Sequence, residues 1–203
     1  SNQKAVPPSL RIGLGVLLLA ACMAPFVVGG GEPAPPPDTV LVKGIDETIA
    51  RAARALAGKQ AADGGWHSET YGLLKPGVAA TAFVLEALSR LSESERKRYE
   101  EPIARAVKFL SASQSEDGAL GLKGAWLEYP TYSTALAVLA WKRLKPEGWK
   151  EANKKRAAWL RSVQHSEENG CAPEDPAYGG WGPDGNSKPG LPRRADISST
   201  RFA

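Results

Sequence analysis

The side chains able to do chemistry are few and scattered. His67, His165 and Cys171 are of types that bind zinc, and a cysteine can also attack as a thiolate. His165 and Cys171 stand six residues apart across a loop, and His67 lies in another segment. That is not metal-ligand spacing, and Cys171 has no base that the sequence can place beside it. The acidic pair Glu174-Asp175 precedes Pro176 in a long loop, where carboxylates are usually solvated. Asp196 precedes Ile197-Ser198-Ser199-Thr200 and reads as a helix N-cap. We therefore assign no catalytic residue, no metal site and no cofactor. The aromatic residues Phe83, Trp126, Tyr129, Tyr132 and Trp141 could line an apolar cavity, but core packing is their expected role.

What must position these residues is a recurring unit. Leu56 to Trp66 runs from a helical stretch through Gln60 into Asp63-Gly64-Gly65-Trp66. A second copy passes through Gln114 into Asp117-Gly118-Ala119-Leu120. A third, stretched copy passes through Gln164 into Tyr178-Gly179-Gly180-Trp181. The glutamines are 54 and 50 residues apart, a period that denotes a repeat protein.

Around each turn the pattern is helix, turn, helix, with no convincing strand. Ile45, Ile49, Ala52, Ala53 and Leu56 recur at helical spacing opposite Lys43, Glu47, Arg51 and Arg54, so an amphipathic helix ends near Gly58. Ile103, Ala106, Val107 and Leu110 form the same stripe, with Pro102 placed as a first helical residue. A third such helix spans about 150–164 and carries five basic residues. Their partners, 78–88 and 131–141, hold one charge and none. The first set should face solvent and the second a protected interior, giving two helix layers. The expected fold is all-α, an incomplete α/α barrel (α/α toroid) of helix-pair repeats of about 50 residues, since two and a half pairs cannot close a ring.

The chain is 42% hydrophobic and 24% charged with net charge +4, which excludes a disordered tail. Its basic runs, such as Lys154-Lys155-Arg156, are short and interspersed with acids, so they read as solvated helix faces and nucleic acid is not an expected partner. Residues 1–22 combine a basic flank, an apolar core and Leu19-Ala20-Ala21-Cys22, which resembles the lipobox of bacterial lipoproteins. A cleaved signal and an uncleaved membrane anchor remain alternatives, and all three export the rest of the chain to the bacterial cell envelope. Cys22 is the candidate lipidation site. Residues 23–38 read as a Gly/Pro-rich linker. Residues 39–203 read as the N-terminal part of the toroid, truncated after Asp196 to Ala203.

The copies Gln60…Asp63-Gly64-Gly65-Trp66, Gln114…Asp117-Gly118 and Gln164…Gly179-Gly180-Trp181 resemble the glutamine-tryptophan repeat of squalene cyclases and the prenyltransferase/squalene-oxidase repeat superfamily. The resemblance covers roughly 40–203. It implies that these residues are structural: the glutamine meets free backbone groups at a neighbouring helix end and the tryptophan packs over it. Copy two departs, with Ala119-Leu120 in place of Gly-Trp. Cyclases of the superfamily protonate their substrate from an Asp-x-Asp-Asp motif, which this sequence lacks. Two readings follow. One is a non-catalytic module that binds an isoprenoid or other hydrophobic ligand, or a protein partner. The other is a terpene cyclase-like isomerase whose catalytic residues lie in a missing C-terminal part.

Overall fold

The computed structural model describes residues 39–121, 128–185 and 194–203. The expected signal or lipobox with Cys22, the linker and Trp126 lie outside them. Contacts divide the chain into Ser1–Val42 and Lys43–Ala203. The described residues form helices and turns, with no strand among them. In order these are α1 (Thr39–Ala57), α2 (Val78–Ser89), α3 (Glu93–Arg96), α4 (Glu100–Ser113), α5 (Pro130–Leu144), α6 (Trp149–Ser162) and α7 (Ile197–Phe202). Three short 3₁₀ turns, Gly72–Leu74, Lys97–Tyr99 and Glu167–Asn169, lie between them.

Within Lys43–Ala203, α2 and α5 pack on each other most extensively, α4 covers α2, and α6 and α7 cover α5. This is the two-layer arrangement of an α/α toroid. Its chemical cause is the distribution of charge: α2 and α5 bury Ala82, Leu85, Leu88, Leu136, Ala137 and Trp141 between the layers. The helices α4 and α6 bury only a stripe, Ile103, Ala106 and Leu110 on one and Arg156, Trp159 and Leu160 on the other.

Three expectations are corrected. Pro102 is the third residue of α4 rather than the first, because the chain is already helical through α3, capped by Ser92, and the turn Lys97–Tyr99. A proline there still costs no intrahelical bond, since first-turn N–H groups have no partner. On the described part of α1 Ala53 is buried and Ala50, Leu56 and Ala57 are half-buried, while Ile45 and Ile49 are open to solvent. The Lys154-Lys155-Arg156 run is not a solvated face throughout. Lys154 and Lys155 are exposed, but Arg156 is 0% exposed, its guanidinium 4.2 Å above the Trp141 ring. A weakly hydrated, planar guanidinium can lie flat on an indole at a smaller desolvation cost than an ammonium.

Candidate functional site

The repeat turn is a hydrogen-bonded clasp, and its parts recur. The Trp66 indole Nε1 donates to the Leu56 carbonyl at 2.8 Å, and Trp181 Nε1 donates to Leu160 at 2.7 Å. Each indole thus satisfies a last-turn carbonyl of the preceding long helix. Gln60 Nε2 donates to the Gly64 carbonyl and to Pro102 in the first turn of α4, both at 2.9 Å, and its Oε1 accepts from Arg105. Gln164 Nε2 makes the matching bond to Gly179. Gln114 is half-buried at the equivalent helix end, and Leu120 takes the tryptophan position fully buried. Asp63 and Asp117 each accept from the backbone N–H two residues on, at Gly65 and Ala119.

A further repeat element escaped the sequence reading. Thr81 Oγ1 accepts from the Trp66 backbone N–H, Thr134 from Leu120 and Thr200 from Trp181, at 2.8, 3.0 and 3.1 Å. The signal was available as a threonine early in each inner helix. Backbone geometry repeats as well. Gly64 (φ +91°) lies against the Arg105 carbonyl of α4, and Gly118 (φ +102°) against the backbone of Lys155 and Arg156 in α6; an added Cβ would come within 2.7 and 2.6 Å. Gly179, also left-handed, has no described neighbour within 4 Å of that position. Gly180 packs on Ala195 and Thr200.

Two buried carboxylates tie the repeats together. Glu128, 1% exposed, accepts from the N–H groups of Gly77 and Val78 at 2.9 and 2.6 Å, capping α2 from the entry to α5. Burial raises its pKa, and the three N–H groups of Gly77, Val78 and Ala79 together with the His67 charge oppose that rise. Glu86 on α2 pairs with Arg90 at 2.7 Å and with Arg143 of α5 at 3.0 Å. Arg156 holds Asn153 Oδ1 at 3.2 Å, its Nε has no hydrogen-bond partner among the described residues, and burial lowers its pKa to about 10.

Beside Glu128 the inner helices open an apolar groove of about 420 Å³. Leu74, Ala79, Ala80, Phe83, Val84, Tyr129, Tyr132 and Leu136 line it, every one aliphatic or aromatic. Here the core-packing expectation is overturned. Trp141 is core, but Phe83 is 59% exposed and Tyr129 is also exposed, both on the groove. The reason is geometric: a helix covered by neighbours on the sides facing α4 and α5 still has one side left, and Phe83 occupies it. Tyr129 adopts the left-handed region (φ 43°, ψ 58°) directly before Pro130, a conformation that costs a bulky residue on the order of 1–3 kcal/mol. A larger cleft of about 740 Å³ lies between α1 and the end of α2, but Asp46, Arg90 and Glu95 contribute to its wall.

The other candidates do not converge. Asp196 caps α7, accepting from the Ser199 N–H at 2.7 Å. Glu174 is exposed, and Asp175 accepts from the Ala177 N–H. His165 and Cys171 are both fully buried, His165 joined through its backbone to Gly179 and Gly180. Among the described residues no three His, Cys, Asp or Glu side chains come close enough to share an ion.

Residues 68–195, more than half of the chain, match the family model of the squalene-hopene cyclase C-terminal domain. No curated protein and no solved structure matches. With the helix pairs, the clasps and this match in agreement, the chain belongs to the squalene-hopene cyclase C-terminal domain family.

Proposed function

We propose that this protein is a non-catalytic squalene-cyclase-like module that holds a hydrophobic ligand, of isoprenoid type, in the groove between α2 and α5. The observation that carries the reading is the groove wall: a concave surface with no charged side chain among the described residues, its only polar side-chain groups two tyrosine hydroxyls, in which a phenylalanine and a strained tyrosine are left facing solvent. Such a surface favours an apolar occupant through the area it removes from water. Among the described residues no acid lines it to start a cyclisation, and Glu128, the nearest carboxylate in sequence, is engaged by two backbone N–H groups.

The module acts outside the cytoplasm, exported by its first 22 residues and tethered to the bacterial envelope by an acylated Cys22 or an N-terminal helix. Labelling cells with a radioactive fatty acid tests the tether: label is expected in the parent and absent from Cys22→Ser, and label retained in the variant rules out acylation there.

The family match favours a second reading, a terpene cyclase-like isomerase acting with residues outside this sequence. Incubating the product of the complete reading frame, which would include any such residues, with squalene and analysing the extract by gas chromatography separates the two. Squalene bound and recovered unchanged is the expected result; a cyclised product overturns the non-catalytic reading.

A further inference from the structure

The loop joining the first clasp to α2 forms a strap that reaches one edge of the groove. Residues 68–76 contain the 3₁₀ turn Gly72–Leu74, and Leu74 is part of the groove wall. The strap closes on itself through Ser68 N–H to the Leu74 carbonyl (3.2 Å) and Tyr71 N–H to Ser68 Oγ (2.9 Å). Its two ends meet at the His67 ring. Nδ1 lies 2.9 Å from the Lys75 carbonyl, and Nε2 lies 3.1 and 3.0 Å from the two oxygens of Asp63. Both of these partners are acceptors only. A neutral imidazole has one N–H and one lone pair, so it can satisfy one of them and must oppose the other; only the imidazolium satisfies both.

The ring is packed on one side and open to solvent on the other. Gly77 at φ +91° passes so close that an added Cβ would lie 2.5 Å from Nδ1, and Phe109 of α4 stands edge-on at 5.8 Å. The charged groups facing it are Asp63 from the clasp and Glu128 from the entry to α5. Arg105 of α4 is engaged by Glu101 and Gln60, and Lys75 presents its carbonyl. Burial works against the charged ring, but the Lys75 carbonyl, the Asp63 carboxylate and the Glu128 charge outweigh it and raise the His67 pKa above 6.5.

We infer that His67 is a protonation-dependent clasp that regulates the groove: as imidazolium it pins the strap to the first repeat turn and keeps the Leu74 wall in place. On losing its proton it releases either Asp63 or the Lys75 carbonyl, and the groove loosens its hold on an apolar occupant. The inference rests on the groove being a ligand site. Its sign follows from linkage: a histidine with a raised folded-state pKa contributes fully below its unfolded value and loses that contribution as pH rises through the folded value.

The test uses the full chain and N-phenyl-1-naphthylamine, an apolar dye with no charge to respond to His67 directly, titrated from about pH 5.5 to about pH 9. Losing one charge-assisted hydrogen bond predicts a dye affinity about five- to tenfold weaker above the His67 pKa than below it. In His67→Gln, which cannot titrate, affinity is expected to be flat across the range. A parent profile without the step, or a step that persists in His67→Gln, overturns the clasp while leaving the groove reading intact. If Phe83→Asp leaves dye binding unchanged, the groove reading fails instead. The clasp is then decided by amide-exchange protection factors over 68–76: loss of protection above the His67 pKa in the parent alone supports it, and constant protection overturns it.

Discussion

Replacing Glu128 by glutamine removes one charge and keeps the shape. The carboxylate now accepts two backbone N–H groups at the start of α2, at 2.9 and 2.6 Å, from a position 1% exposed. A glutamine amide offers one acceptor oxygen, and its NH₂ would point hydrogens at the second N–H. One charge-assisted bond is lost and one buried donor left unmet, about 2–4 kcal/mol before compensation. Relief of carboxylate desolvation, the largest influence on this group, offsets most of this, leaving a net loss of about 1 kcal/mol. For a fold of this size that lowers the melting temperature by roughly 2–4 °C at pH 7. Thermal unfolding followed by circular dichroism reads it. Because burial holds the folded-state pKa of Glu128 above its usual 4.5, the native protein binds this proton more readily than the unfolded chain. Parent stability therefore gains from this group as pH falls from the folded toward the unfolded value, and the gap to Glu128→Gln widens there. A variant as stable as the parent at pH 7 would refute the argument, since the carboxylate would then be only a desolvation cost and no link between repeats.

The left-handed glycines of the three repeat turns, Gly64, Gly118 and Gly179, make a graded set. Gly64→Ala and Gly118→Ala meet both backbone strain and a Cβ within 2.7 and 2.6 Å of the next long helix, so each should cost about 2–4 kcal/mol in chemical denaturation. Gly179→Ala meets strain alone and should cost about 1 kcal/mol; equal losses at all three would show that helix docking is not what the glycines serve. Arg156→Met replaces a buried cation whose Nε has no hydrogen-bond partner among the described residues, so stability should change by less than about 1 kcal/mol in either direction. A loss above about 3 kcal/mol would mean that the stack on Trp141 holds the layers together.

The helix pairs could be read from the chain because their cause is local. Amphipathic spacing around Ile103, Ala106 and Leu110, and the near absence of charge in 131–141, assign each helix to a layer without knowledge of its neighbours. The Gly-Gly-Trp turn was legible as a structural joint for the same reason. The indole bond to Leu56 was not, because it requires knowing that a helix end lies ten residues back in space as well as in sequence. Glu128 and Arg156 were illegible for a stronger reason. A lone acid before Tyr-Pro and an arginine after two lysines look solvated, and only partners 50 or 51 residues away, or Trp141 across the layer, make them buried. Phe83 failed in the opposite sense, since an all-apolar helix gives no sign of which side its neighbours leave open.

The groove itself is tested most directly by dye affinity in two matched variants. Phe83→Asp puts a charge into the apolar wall, whereas Ile49→Asp puts one into the larger, already charged cleft beside α1. In a titration with N-phenyl-1-naphthylamine at pH 6, binding is expected to be at least about tenfold weaker in Phe83→Asp, the cost of desolvating a carboxylate against an apolar ligand. Ile49→Asp should bind as the parent does. Parent-like affinity in Phe83→Asp, or the loss of binding in Ile49→Asp alone, would contradict the assignment of the ligand site to the face between α2 and α5.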